Sequence, residues 1–297
     1  MAISWKTVAT LASTLFYSQL AAAISPIVSP VWLKDNLNDP FLLVIDIRPE
    51  ATYAASHVPG ALGIPFGYSS LWAEQVEGDT LRMPPAEELL PALAGQGLSA
   101  NTSVVLVSSV ATMPRGMNEA TRVAATLQYA GLPTNQVGIL DGGYEGWIKN
   151  GGEESLDAKV PTPGDFNGPV DETVVVERPE VKASLNKVDE GIVLLDARDT
   201  ASFDQGHIES ALSLPQKNIW NSDGTFKTVD QLWEVYFKGV GDAPVGPDEG
   251  EIIVYCFIGL MATGWHFVLT NVLEFENVKL YDGSVQDWTK EYQLVTA

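Results

Sequence analysis

Ile252-Ile253-Val254-Tyr255-Cys256-Phe257-Ile258-Gly259-Leu260-Met261-Ala262 decides the fold. Its apolar run is too short for a helix and has no polar face, which suits a strand covered by helices on both sides. A short loop with one glycine follows. From Ala262 to Leu273 the periodicity changes, and Trp265, Val268, Leu269 and Val272 fall on one helical face. The stretch therefore reads as strand, loop and helix. Apolar runs of the same kind stand at Leu42 to Ile45, Val104 to Val107, Val137 to Leu140, Ile192 to Leu195 and Val278 to Tyr281, and helical stretches such as Asn118 to Ala130 lie between them. This alternation predicts an α/β fold with open, mostly parallel sheets flanked by helices.

The runs belong to two copies of one pattern. Asp46-Ile47-Arg48, Tyr53, His57-Val58, Ala61 and Pro65 recur 150 residues later as Asp196-Ala197-Arg198, Phe203, His207-Ile208, Ala211 and Pro215. Farther on, Leu140-Asp141-Gly142 with Trp147 recurs 141 residues later as Tyr281-Asp282-Gly283 with Trp288. A period of this size marks a duplicated domain, since solenoid units repeat every 20 to 50 residues or so. Between the copies, Gly151 to Pro169 is rich in Pro, Gly and acids and has no apolar periodicity, which is linker composition. The sequence predicts domains at 24–152 and 171–297, joined by a linker at 153–170.

Residues 1–23 differ from the rest. Lys6 is their only charge, the apolar run Val8 to Leu20 is too short and too polar to span a membrane, and Ala21-Ala22-Ala23 offers a small-residue cleavage site. A signal peptide and a periplasmic or secreted protein are expected. The whole chain carries 38 acidic against 17 basic residues, a net charge of −21, which argues against gripping nucleic acid by its phosphates. One cysteine and three scattered histidines give neither a disulfide framework nor metal-ligand spacing. An exported protein with one free thiol at Cys256 calls for a chemical reason to keep it.

Ligands of open parallel sheets bind beyond the carboxyl ends of the strands, where backbone N–H groups point into the loop. Cys256 stands at such an end, and a short glycine-containing loop there can form a nest of donors that favours a thiolate nucleophile. The segment Tyr255-Cys256-x-x-Gly259-x-x-Ala262, followed by Tyr281-Asp282-Gly283-Ser284 and Trp288, resembles the catalytic half of a tandem rhodanese, the thiosulfate sulfurtransferase family. The Asp-x-Arg and His-Val or His-Ile blocks resemble that family's signature near the start of each domain, and the resemblance runs from about Pro30 to Tyr292.

The resemblance implies two tandem rhodanese-like domains and a sulfurtransferase that needs no cofactor. Cys256 would form a persulfide, and Phe257, Ile258, Gly259, Leu260, Met261 and Ala262 would hold the outer sulfur. Asp196, Arg198 and His207 would fix the strand-to-helix turn, as Asp46, Arg48 and His57 would in the other copy. The expected partners are a small sulfur donor and an acceptor such as cyanide, a thiol or a protein thiol, with no nucleic acid and no membrane span. The first copy has Ser108 where the second has Cys256, and a hydroxyl cannot carry a persulfide. It therefore reads as a structural domain covering one side of the cleft.

Two other readings compete. A cysteine phosphatase would need an Arg closing the loop, where position 262 is Ala. The second alternative is a non-catalytic sulfur-binding or scaffold module. Cations that relatives use for anionic donors are replaced here by Ser202, Phe257 and Ile258, so any help for the loop would come from elsewhere, with Arg115 or Arg122 of the first copy as candidates.

Overall fold

A computed structural model describes residues 23–76, 78–241 and 245–296; apart from Ala23, the expected leader lies outside them. The first repeat runs β1 (Ile27–Val28), α1 (Pro30–Asn36), β2 (Leu42–Asp46), α2 (Glu50–Ala55), β3 (Leu62–Gly63), a hairpin of β4 (Glu74–Val76) and β5 (Asp79–Arg82), α3 (Ala86–Gly95), β6 (Ser103–Val107), α4 (Arg115–Tyr129), β7 (Val137–Leu140) and α5 (Gly143–Lys149). The second has α6 (Arg178–Ala183), β8 (Ile192–Asp196), α7 (Thr200–Gln205), β9 (Leu212–Ser213), α8 (Val229–Val240), β10 (Glu251–Tyr255), α9 (Ala262–Phe267), β11 (Val278–Leu280) and α10 (Ser284–Trp288).

Apart from the antiparallel β4-β5 hairpin, the sheets are wholly parallel, in the orders β1-β7-β6-β2-β3 and β11-β10-β8-β9. A single parallel bridge from Val175 to Leu280 stands where β1 stands in the first sheet. The central strands are buried on both faces, as their uninterrupted apolar runs require. The helix expected over Ala262 to Leu273 widens after Phe267 into a π-helix, Val268–Val272. There the Thr270 hydroxyl donates to the His266 carbonyl, a local competitor for the regular helical bond.

The segment 153–170 has no helix and no strand beyond one bridge, yet it is tied down. Ser155 pairs with His57, Gly164 N–H donates to the Ala94 carbonyl, and Phe166 is buried with its N–H on the Leu98 carbonyl. It is strapped to the first repeat, because its own apolar side chain and backbone donors find partners there.

The repeats pack through α4 and α9, which occupy equivalent positions. Thr121 and Thr263 share a hydrogen bond between their hydroxyls at 2.9 Å, and buried Gln128 donates to Asn271 at 2.6 Å. The two Asp-Gly turns exchange partners across the same boundary. Asp141 accepts the Phe226 N–H at 2.8 Å, and Asp282 accepts the Met83 N–H at 2.7 Å. A duplicated domain thus meets its copy with an approximate twofold relation, which brings first-repeat residues to the second repeat's strand ends.

Candidate active site

Strand β10 delivers Cys256 to the carboxyl edge of the second sheet, fully buried. Its N–H donates to Ser284 Oγ at 3.1 Å, and its carbonyl accepts the Val285 N–H at the start of α10. Phe257 is 44% exposed and marks where the loop meets solvent. Ile258 is half-buried, Gly259 and Leu260 are buried, Met261 caps α9, and Ala262 is its first, buried residue. Gly259 has φ +81°, in the left-handed region, and a β-carbon there would meet the Asp282 carbonyl at 2.6 Å, so only glycine fits this turn.

Among the described residues, the N–H groups of Phe257, Ile258, Gly259, Leu260 and Met261 donate to no protein acceptor. Consecutive backbone donors without partners form the kind of concavity that binds anions.

The first repeat forms one wall. Ala73 and Leu81 cluster with Leu260, and Phe66, Tyr68 and Ile258 pack against that cluster. The two candidate cations divide. Arg122 is fully buried and bonded to Asp282 and the Leu81 carbonyl, with the Gly259 carbonyl at 3.5 Å. Its charge is committed to Asp282, so it secures the back of the loop and is no free donor-binding cation. Arg115 is exposed, paired with Glu119 at 2.8 Å and 5.6 Å from the centre of the Tyr68 ring.

Asp196, Arg198 and His207 lie at the turn after β8. Arg198 makes a forked ion pair with Asp196 and donates to the Gly206 carbonyl, and His207 stacks on Phe203 at 3.8 Å between ring centres. Burial works against the charge of Arg198, but the hydrogen bond and charge of Asp196, together with Tyr255 and Cys256, outweigh it and raise the guanidinium pKa. Asp46, Arg48, His57 and Tyr53 repeat this arrangement in the thiol-free copy. Its presence without a cysteine assigns it to the turn. Arg198 nevertheless lies 4.9 Å from the centre of the Phe257 ring, which makes it a cation bordering the loop.

Sequence reasoning missed Ser284 as the partner of Cys256 and the grip of Arg122 on Asp282. It also missed Gln286, whose side chain reaches Thr80 of the first repeat. Ser284 stood in the quoted motif; the other pairs join positions far apart in the chain and have no local signature.

A buried thiol at a strand end, followed by a loop of free donors and mirrored in a thiol-free copy, defines a two-domain protein with one reactive centre. Comparison gives the class a name. The rhodanese-like domain matches residues 29–150 and 178–291. The chain is 30% identical over 285 residues to a Mycobacterium leprae protein provisionally named thiosulfate sulfurtransferase, covering 91% of this chain and 95% of that one. It is 28% identical over 284 residues to the sulfur carrier protein TtuD of Thermus thermophilus, covering 88% and 93%. The crystal structure of SseA from Escherichia coli, described as a 3-mercaptopyruvate sulfotransferase, superposes with a TM-score of 0.72 at 26% identity, covering 88% of this chain and 99% of that one. The chain belongs to the rhodanese-like family, as a sulfurtransferase of two tandem domains.

Proposed function

We propose that Cys256 carries the transferred sulfur as a persulfide, and that the Phe257 to Met261 amides hold its outer, anionic sulfur. The observation that supports this reading is the row of N–H groups directly after the buried thiol, which have no partner among the described residues. The thiolate attacks the sulfane sulfur of the donor. A new S–S bond forms at Cys256, the donor's bond to that sulfur breaks, and the bonding pair leaves with the donor residue, as sulfite when the donor is thiosulfate. An acceptor nucleophile, cyanide or a small or protein thiol, then attacks the outer sulfur and releases the Cys256 thiolate. No other oxidant or reductant is required.

Thiosulfate and mercaptopyruvate are the donors named for relatives. In this chain Arg198 is spent on Asp196 and Arg122 on Asp282, so backbone dipoles must hold most of a dianion's charge. Thiosulfate saturates weakly in this reading, and a less charged or persulfidic donor turns over better. The N-terminal reading adds export, with residues 1–23 removed and the enzyme working outside the cytoplasm; N-terminal sequencing of protein from its host checks that part. Intact mass spectrometry tests the chemistry. Donor treatment should add one sulfur, acceptor treatment should remove it, and Cys256→Ser should lose both the gain and turnover. Full activity in that variant would end the proposal.

A further inference from the structure

We propose that Gln286 is a specificity-determining residue whose uncharged amide, drawn to Thr80 of the first repeat, leaves the Cys256 loop open to an anionic sulfur donor where a carboxylate would fill it. The inference rests on the persulfide reading and comes from a difference between the two copies of one turn.

In both repeats the last helix docks on the same backbone atom. Tyr144 N–H donates to the Ser108 carbonyl at 2.8 Å, and Val285 N–H donates to the Cys256 carbonyl at 3.1 Å. The next side chain, Glu145 or Gln286, therefore leaves the helix at the same place, beside the start of the loop. In the first repeat Glu145 turns into the loop, where its carboxylate accepts from Ser109 Oγ at 2.5 Å and from Val110 N–H at 2.9 Å. The loop supplies its own anion. In the second repeat Gln286 turns away. Its amide oxygen accepts from the Thr80 N–H at 3.1 Å and the Thr80 hydroxyl at 3.2 Å, and its amide nitrogen donates to the Thr80 carbonyl at 2.9 Å.

Only an amide satisfies this second arrangement. A carboxylate has no donor for the Thr80 carbonyl, and two acceptors would face each other there. The same carboxylate would find the free amides of Phe257 and Ile258 close by, as Glu145 finds that of Val110. It would then occupy the place of the donor's negative charge.

Kinetics of the full chain with thiosulfate as donor test this. Gln286→Glu should raise the KM for thiosulfate by about tenfold to a hundredfold, the range for one charge-assisted contact, while kcat at saturation stays within about twofold. Gln286→Met breaks the Thr80 pairing without adding charge, and should change KM by less than about threefold. An unchanged KM in Gln286→Glu or an equal rise in both variants would overturn the proposal. If instead Cys256→Ser remains active, the persulfide reading fails, whatever the Gln286 variants do.

Discussion

The loops after β6 and β10 descend from one turn and have opposite fates. The first is closed by its own residues. Glu145 holds Ser109 and Val110, Ala111 N–H donates to Ser109 Oγ, and the hydroxyl of Ser108 donates to the Met117 sulfur at 3.3 Å. Among the described residues, the second keeps five amides without protein acceptors behind a thiol. The comparison teaches that reactivity here depends on what the loop is left without as much as on the cysteine. A backbone donor satisfied by the protein is lost to a substrate.

That view is broken most directly by moving the thiol. Ser108→Cys in a Cys256→Ser background should show no sulfur transfer above the background of Cys256→Ser alone, since Glu145 still occupies the loop donors. Turnover by this variant, read by thiocyanate release, would mean that the cysteine alone suffices.

The next effect contrasts two arginines of α4 that sequence treats alike. Arg122→Met takes the closer of two guanidinium partners from the buried Asp282 carboxylate, which keeps Arg82 at 3.7 Å and the Met83 N–H, and should lower unfolding stability by roughly 3 kcal/mol, the low end for breaking a buried pair. Arg115→Ala removes an exposed pair and should change stability by no more than about 1 kcal/mol. Denaturant unfolding of both variants checks the contrast, and equal effects would remove Arg122 as the brace behind the loop.

A smaller effect separates the paired helices. His266 of α9 lies where α4 has Ala124, is fully buried, and among the described residues has ring nitrogens without a well-aligned hydrogen bond. Burial pushes its pKa down to about 4, against an opposing pull from Val278 and Asp171. The unfolded chain takes up this proton near its ordinary value, whereas the folded chain resists it. The His266 contribution to stability is thus present above about pH 6.5 and is lost as pH falls toward about 4, by roughly 3 kcal/mol in all. Unfolding free energies across that window should slope in wild type and flatten in His266→Ala; equal slopes would show that His266 is not the group responsible.

Much of the fold was legible because its signals are local. Apolar runs gave the central strands to within a residue at each end. The duplication placed Asp46 and Arg48 opposite Asp196 and Arg198, pairs only two residues apart whose geometry a single turn enforces. Less was legible in the linker composition of 153–170, which hid a segment strapped to α3 and His57, because Pro and Gly describe a backbone's freedom and not the groups it meets. The helix from Ala262 showed its apolar face but not its π-helical end, which the Thr270 hydroxyl accompanies.

By itself the sequence determined that two α/β domains stand in tandem, that one lacks the thiol, and that Cys256 ends a buried strand before a glycine turn. Periodicity and repeat fix these, since each depends on neighbours along the chain. Tertiary structure alone decided that Arg122 is spent on Asp282, that Glu145 fills one loop, and that Thr80 draws Gln286 from the other. Whether a buried donor or charge is free depends on which partner the packing brings to it, and here the deciding partners lie tens to hundreds of residues apart.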